Sequence, residues 1–179
     1  MFTQNLGQCL KDTFGNRACI QRCQVHKKRN VLAHLPQSEQ ENVSLALSLA
    51  YREHEFEKAK SALECLADNL DHRYPGAAAS LREGLEETLT VHRLNLPGLL
   101  RLTLSSTNAM ESANSICSGV LRRVSHFQDD KMTLRHAAAG FLEAERGFRR
   151  IKGFKQIPLL TSALQLLTES GDPVILVSA

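Results

Sequence analysis

The chain has 179 residues, 42% of them hydrophobic, 5% aromatic and none of them Trp, with a formal net charge of +3. That is enough for one domain, too apolar for wholesale disorder, and too poor in Gly and Pro for a collagenous or linker-like chain. No apolar run approaches the ~18 residues of a membrane helix, and the start Met1-Phe2-Thr3-Gln4-Asn5 lacks the basic and apolar parts of a secretory signal. The charge is segregated. Residues 1–35 carry six basic and one acidic side chain, residues 36–90 five and eleven, and residues 121–155 nine and four. Two basic segments therefore flank an acidic middle, the layout of a protein that meets a polyanion or of ordinary solvated helix faces. The five Cys are an odd number without a secretion signal, so they read as reduced thiols of a cytoplasmic protein.

In chain order, Ala18-Cys19-Ile20-Gln21-Arg22 is the one segment that reads as a strand, and a single strand cannot make a sheet. Cys23-Gln24-Val25-His26 follows at the turn into a helix. It is either half of a zinc site, with Cys19 or His34 joining, or a small apolar Cys beside a hydrogen-bonded His. Lys27-Lys28-Arg29 continues that helix as a phosphate-contacting patch or a solvated face. Ser38-Glu39-Gln40-Glu41 predicts a capping box opening a helix that buries Val43, Leu47 and Ala50. Phe56, Ala59, Leu63, Leu66 and Leu70 step 3, 4, 3, 4 and predict one buried helical stripe. Tyr74-Pro75-Gly76 ends that helix, and Pro75 suits the first turn of the next. Leu81, Leu85 and Leu89 recur every four residues, and Leu96-Pro97-Gly98 is another break.

Met110, Ala113, Cys117, Val120 and Val124 predict a further buried stripe. Asn108 is placed to cap that helix with Glu111 completing the box, although a carboxylate projecting there is also where a metal ligand could sit. Asp129-Asp130 predicts the start of the next helix, with Leu134, Ala138, Phe141, Ala144 and Phe148 on its buried side. Pro158 starts a last helix. The run Arg146 to Lys155 interleaves aromatics with cations, as a nucleic-acid backbone site does, while Phe148 continues the apolar stripe. No phosphate-loop, dinucleotide or nucleophile-elbow pattern occurs. The fold class expected is mainly α, with at most one or two short strands near residues 16–23.

Several blocks resemble one family. Ile20-Gln21-Arg22-Cys23-Gln24-Val25-His26-Lys27-Lys28-Arg29-Asn30-Val31 resembles the Cys-x-x-His block of mutator-type bacterial insertion-sequence transposases. Tyr74 to Gly84 looks like that family's helical insertion, and Ser106-Thr107-Asn108-Ala109-Met110-Glu111-Ser112 like its Thr-Asn-x-x-Glu block. Lys131 to Gly153 also matches, and the similarity covers most of residues 6–167 in order.

The resemblance implies a ribonuclease-H-like core interrupted by a helical insertion, in which two Asp and one Glu bind Mg²⁺ or Mn²⁺ for DNA cleavage and strand transfer. It implies four stretches of a single truncated domain: 1–35 as the end of the core, 36–104 as the insertion, 105–126 as the Glu-bearing helix and 127–179 as C-terminal helices. Glu111 takes the place of the catalytic, metal-binding Glu, and Cys23, His26, Thr107 and Asn108 are the family motif. Lys27, Lys28, Arg29, Arg122, Arg123, Arg149, Arg150 and Lys152 are the expected DNA contacts. Partners are transposon-end and target DNA and an intact transposase subunit, with no membrane and a nucleoid-associated place when DNA is bound. The family's two Asp have no counterparts: Asp12 is the only acidic residue before Cys23, and it falls where the family has a helix. The expectation is the C-terminal part of a transposase, inactive by itself. Its missing core strands should leave an apolar face exposed along residues 18–35.

Overall fold

The structure is a computed structural model that describes residue 12, residues 18–168 and residues 175–178. It divides into two compact units, Met1–Ser106 with Lys152–Ala179, and Thr107–Ile151.

The first unit begins with strand β1 (Ala18–Gln21), followed by α1 (Gln24–Ala33), α2 (Gln37–Arg52), α3 (Phe56–Asp71) and α4 (Pro75–Arg82). A 3₁₀ turn (Glu86–Leu89) leads into the short α5 (Thr90–Arg93) and α6 (Gly98–Leu104). After the excursion through the second unit, α9 (Ile157–Thr168) and strand β2 (Ile175–Ser178) belong to the first unit again. The fold is mainly helical, as the apolar spacing predicts. The strand expected at 18–22 forms, but it has a partner: β1 pairs with β2 in parallel, Ala18 opposite Ile175 and Gln21 opposite Ser178. The second strand thus lies at the far end of the chain and not near residues 16–23.

The predicted stripe of α3 is the centre of the main core. Ala59, Leu63 and Leu70 are buried, joined by Val31, Val43, Leu47, Ala50, Ala77, Leu81, Leu85 and Leu89, with Phe56 and Leu66 packed against them. Pro75 occupies the first turn of α4, where its missing N–H costs nothing. The chain then reverses at Gly84, whose φ of +60° only glycine adopts without strain and whose missing Cβ makes room for the Arg22 side chain. A smaller cluster of Val91, Leu94 and Leu96 gathers Cys19, Leu104, Leu160, Ala163 and Leu164.

Two expectations are corrected here. The capping box at Ser38 does not form, because α2 starts two residues earlier than that box requires, with Pro36 at the cap position and no side-chain cap. Instead Gln40 reaches back and donates to the Leu32 and Leu35 carbonyls at 3.2 and 3.1 Å, which ties the end of α1 to the start of α2. Residues 18–35 do not present an apolar face either: Ile20, Cys23, Val31 and Leu35 are all buried. Val31 and Leu35 pack into the main core with Val43, Leu47, Ala77 and Leu81.

The second unit is a helical hairpin, α7 (Asn108–Leu121) against α8 (Asp130–Glu145). Asp129 caps α8 as predicted, accepting from the Met132 N–H at 2.5 Å. The buried faces are only partly as predicted. On α7, Ala113 and Cys117 are buried, but Met110 is 62% exposed. On α8, Ala144 is buried with Gly140, whereas Leu134 and Phe141 are exposed, as is Phe148 beyond the helix end. The reason is close packing through small residues. A Cβ on Gly140 would lie 2.8 Å from the Cys117 Sγ and 2.9 Å from its Cα, so the helices meet along Gly140, and the bulky stripe is turned away.

Candidate functional site

The Cys-x-x-His turn is built by its neighbours in the first unit. β1 runs into it, and residues 87–91 hold β1 in place. The Arg22 N–H donates to the Glu87 carbonyl at 2.8 Å, and the Thr90 hydroxyl donates to the Ile20 carbonyl at 2.6 Å. Gln21 is fully buried, and its amide bridges both ways: it donates to the Thr88 carbonyl at 2.9 Å and accepts from the Val91 N–H at 2.9 Å. A buried amide with its partners met is rigid, since losing any one of them strands a polar atom. Arg22 adds ion pairs to Glu87 at 2.6 Å and Glu83 at 3.0 Å, which outweigh its partial burial and raise its pKa. Cys23 is buried at the cap position of α1, and His26 is half-buried one turn on. Cys19 and His34 do not join them in a ligand cluster. The His34 ring instead lies against Gly76, where an added Cβ would come within 3.1 Å of its Nδ1.

The basic triplet separates into three different environments. Lys27 is buried, 4% exposed, and its ammonium donates to the Ser80 carbonyl at 2.7 Å and the Glu83 carbonyl at 2.5 Å. These are carbonyls at the C-terminal end of α4, where a cation complements the helix dipole. Burial pulls its pKa down, and the Glu83 carboxylate at 3.7 Å opposes that pull. The reading of Lys27 as a DNA contact is therefore corrected: it caps a helix inside the unit. Lys28 is half-buried and donates to the Ser48 hydroxyl at 2.7 Å. Arg29 is exposed.

A second buried cation repeats the device, and nothing in the local sequence signals it. Arg101 on α6 is 8% exposed and donates to the Glu53, His54 and Arg52 carbonyls at 3.0, 3.4 and 3.3 Å, capping the end of α2. Beside it His92 is 3% exposed, with its Nε2 3.1 Å from the Tyr51 carbonyl and its Nδ1 without a partner. Desolvation, with the Arg101 charge nearby, lowers the His92 pKa, so the ring is neutral and Nε2 carries the proton it donates. Burial also pushes the Tyr51 phenol up to about 12.

In the second unit, Glu111 is exposed in the first turn of α7. The helix starts at Asn108, so Thr107 and not Asn108 holds the cap position, and the Thr107 hydroxyl donates to the Glu111 carboxylate. That bond orients the carboxylate, whose oxygens are acceptors only when ionised. Arg122, Arg123, Arg149 and Arg150 are exposed in the same unit, while Lys152, also exposed, belongs to the first.

A groove of the first unit, about 710 Å³, is lined by Lys60, Asp68, Arg82, Glu86, Glu87 and Arg93 among others. Two of its cations are already neutralised, Lys60 by Glu86 at 2.5 Å and Arg82 by Asp68 at 2.8 Å. It is therefore a poor anion site. Among the described residues no helix is long and apolar enough to cross a membrane.

The chemistry available is a Cys–His turn, an oriented carboxylate and exposed arginines on a helical scaffold. A model of the family described as "Transposase, Mutator family" matches residues 3–150. The chain belongs to the Mutator family of transposases. It is 35% identical over 97 residues to the transposase for insertion sequence element ISRM5 of Rhizobium meliloti (strain 1021), covering 54% of this chain and 24% of that one. It is 32% identical over 92 residues to the transposase for IS6120 of Mycolicibacterium smegmatis, covering 51% and 28%. The match to the transposase for ISRM3 of Rhizobium meliloti (strain 1021) is 28% over 117 residues, covering 65% and 29%. The matched region is thus under a third of the length of these relatives. No solved structure matches.

Proposed function

We propose that this chain is the Glu-bearing part of a DNA transposase of an insertion sequence, which binds DNA through its exposed cations and does not cleave it unaided. The observation that carries the reading is the family match over residues 3–150. Glu111 is the residue of this chain that takes a divalent metal, Mg²⁺ or Mn²⁺, through carboxylate oxygens. When bound, such ions stabilise the attacking and leaving oxygens of a phosphoryl transfer. Two ions ~3.5–4 Å apart need several converging carboxylates, and Mg²⁺ prefers oxygen donors over the Cys and His of the turn. Glu111 alone does not fit that ion pair, and no cleavage step follows from this chain's residues. An intact transposase subunit paired with this chain supplies the missing carboxylates.

DNA contact falls to Arg29 and Lys28 in the first unit with Lys152, and to Arg122, Arg123, Arg149 and Arg150 in the second. These reach phosphates and carry no base information. The test is DNA bearing the element's ends, incubated with Mg²⁺ or Mn²⁺. The reading expects retention of DNA at low salt without nicking or strand transfer. Nicking that disappears in Glu111→Ala would overturn the claim of inertness while supporting Glu111 as the metal ligand. Absence of any DNA retention at low salt would overturn the binding reading.

A further inference from the structure

Phe148 stands apart from the small residues through which the α7–α8 hairpin packs. α8 ends at Glu145, and the chain turns there: the Gly147 N–H donates to the Ala144 carbonyl and the Phe148 N–H to the Glu145 carbonyl, each at 3.0 Å. The turn fixes the backbone of Phe148 while the residue stays 63% exposed. A lone exposed aromatic needs no explanation by itself. Two further observations bear on this one. Arg149 and Arg150 follow directly and are exposed, and no acidic residue occurs from Arg146 to Lys155. Of the acidic residues just before, Glu143 is paired with Arg146 at 2.8 Å, which leaves Glu145 against two arginines.

The second observation is the place of this turn in the hairpin. The two helices, joined by residues 122–129, run antiparallel and meet where Gly140 approaches Cys117. Ala113 and Ala144, four positions from that crossing on each helix, are both buried, which agrees with this register. Glu111 lies six positions before Cys117 and Arg146 six positions after Gly140, about 9 Å along the axis in each case. The turn that carries Phe148 is therefore at the same end of the hairpin as the Thr107–Glu111 pair. Beside cations that meet phosphate, an exposed aromatic face suits a nucleic-acid base. In paired DNA the base faces cover one another, so the ring reaches one without an unstacking cost only where a base is already unpaired. We propose that Phe148 stacks on an unpaired DNA base, with Arg149 and Arg150 on the adjoining phosphates, at the Glu111 end of the hairpin. This rests on the DNA-binding reading above and adds to it the form of DNA preferred. Such stacking tolerates any sequence, since every base has a π-face.

The experiment measures binding of the full chain to two DNAs of equal length, a fully paired duplex and the same duplex with an unpaired nucleotide in one strand. The native chain should bind the second at least about fivefold more tightly. Phe148→Leu keeps apolar bulk and removes the ring, so it should lose that preference with binding to the paired duplex and its salt slope unchanged. Unaltered duplex binding shows that the loss does not come from unfolding. Phe148→Trp should keep the preference. The chain has no Trp of its own, so the new indole is the only one present, and its fluorescence should be quenched by the DNA with the unpaired base and not by the paired duplex. Equal affinity of the native chain for the two DNAs overturns the proposal. So does a preference that survives in Phe148→Leu, or an indole that the unpaired base leaves unquenched. Absence of binding to both DNAs overturns the DNA-binding reading itself, and this proposal with it.

Discussion

The Lys27 ammonium lies 2.5 Å from the carbonyl oxygen of Glu83, a residue 56 positions along the chain. Through that bond and the one to Ser80, α1 holds the end of α4, and the helix that begins at Cys23 is fixed against the helical layer. Replacing Lys27 by Met keeps most of the apolar stem and removes the charge. It leaves two carbonyls without their donor, and hydrogen bonds to charged groups are worth about 1.5–3 kcal/mol. Chemical denaturation should show a loss of about 2 kcal/mol. Arg29→Ala, at an exposed position, should stay within about 0.5 kcal/mol of the native chain.

Variants of the same basic triplet separate structure from DNA contact. Phosphate binding releases counterions, so affinity falls with salt along a slope set by the number of contacts. Lys28→Ala with Arg29→Ala should flatten that slope in a filter-binding titration and leave sequence preference unchanged. Lys27→Met should leave the slope of the folded protein as it was. A flattened slope in Lys27→Met would place that ammonium on DNA.

Arg101 should be as sensitive as Lys27. Arg101→Ala strands the carbonyls of residues 52–54 at the end of α2, and a loss of about 2–4 kcal/mol is expected in a denaturant midpoint series. Arg101→Lys should recover only part of it. Two guanidinium nitrogens reach three carbonyls here, a fork that an ammonium does not reproduce.

The helix stripes at residues 56–70 and the starts at Pro75 and Asp129 were legible in the sequence because they depend on spacing within one turn or one helix. Lys27, Gln21 and Arg101 were not. Each is a polar residue whose burial is set by carbonyls about 50–70 positions away, and no local pattern distinguishes such a cation from a surface one. The side of α8 that packs was misread for a related reason. Apolar bulk at Leu134, Phe141 and Phe148 outweighs Gly140 in any periodicity, yet Gly140 is what lets Cys117 approach. In the candidate site, the Cys-x-x-His turn and the Glu111 helix start were readable as motifs. The Thr107 hydroxyl on the Glu111 carboxylate depends on where the helix begins, which the sequence misplaces by one residue.

Two glycines of the hairpin should respond in opposite directions. Gly140→Ala pushes a methyl to within 2.8 Å of the Cys117 Sγ and should destabilise by about 1–3 kcal/mol. Gly119→Ala, inside α7 with nothing within 4 Å of the new methyl, should stabilise by about 0.5–1 kcal/mol through helix propensity. Thermal melts of the two variants against the native chain decide both.

Acid should loosen the first unit through His92. Its pKa is lowered in the folded state, so between the unfolded value of about 6.5 and the lower folded value the unfolded chain binds more protons. Its contribution is constant above about pH 6.5 and is lost as pH falls below that, because a charged ring would sit beside Arg101 and His54 with Nδ1 unpaired. His92→Gln can still donate to the Tyr51 carbonyl and does not titrate. The difference between native and His92→Gln unfolding free energies, measured from pH 8 to pH 5, should stay flat at the alkaline end and turn against the native chain at the acid end.

The parallel pairing of Ala18 with Ile175 has a consequence for the order of events as the chain folds. The helices can form within microseconds from neighbours in sequence, and the α7–α8 hairpin needs only the loop between its own two helices. The two strands, in contrast, close a loop of roughly 150 residues, and that entropy is recovered only when both ends have somewhere to dock. The strand pair is therefore the last element to form. On a ribosome it cannot form until residues 175–178 emerge, so until then β1 has residues 87–91 beside it and one edge still open.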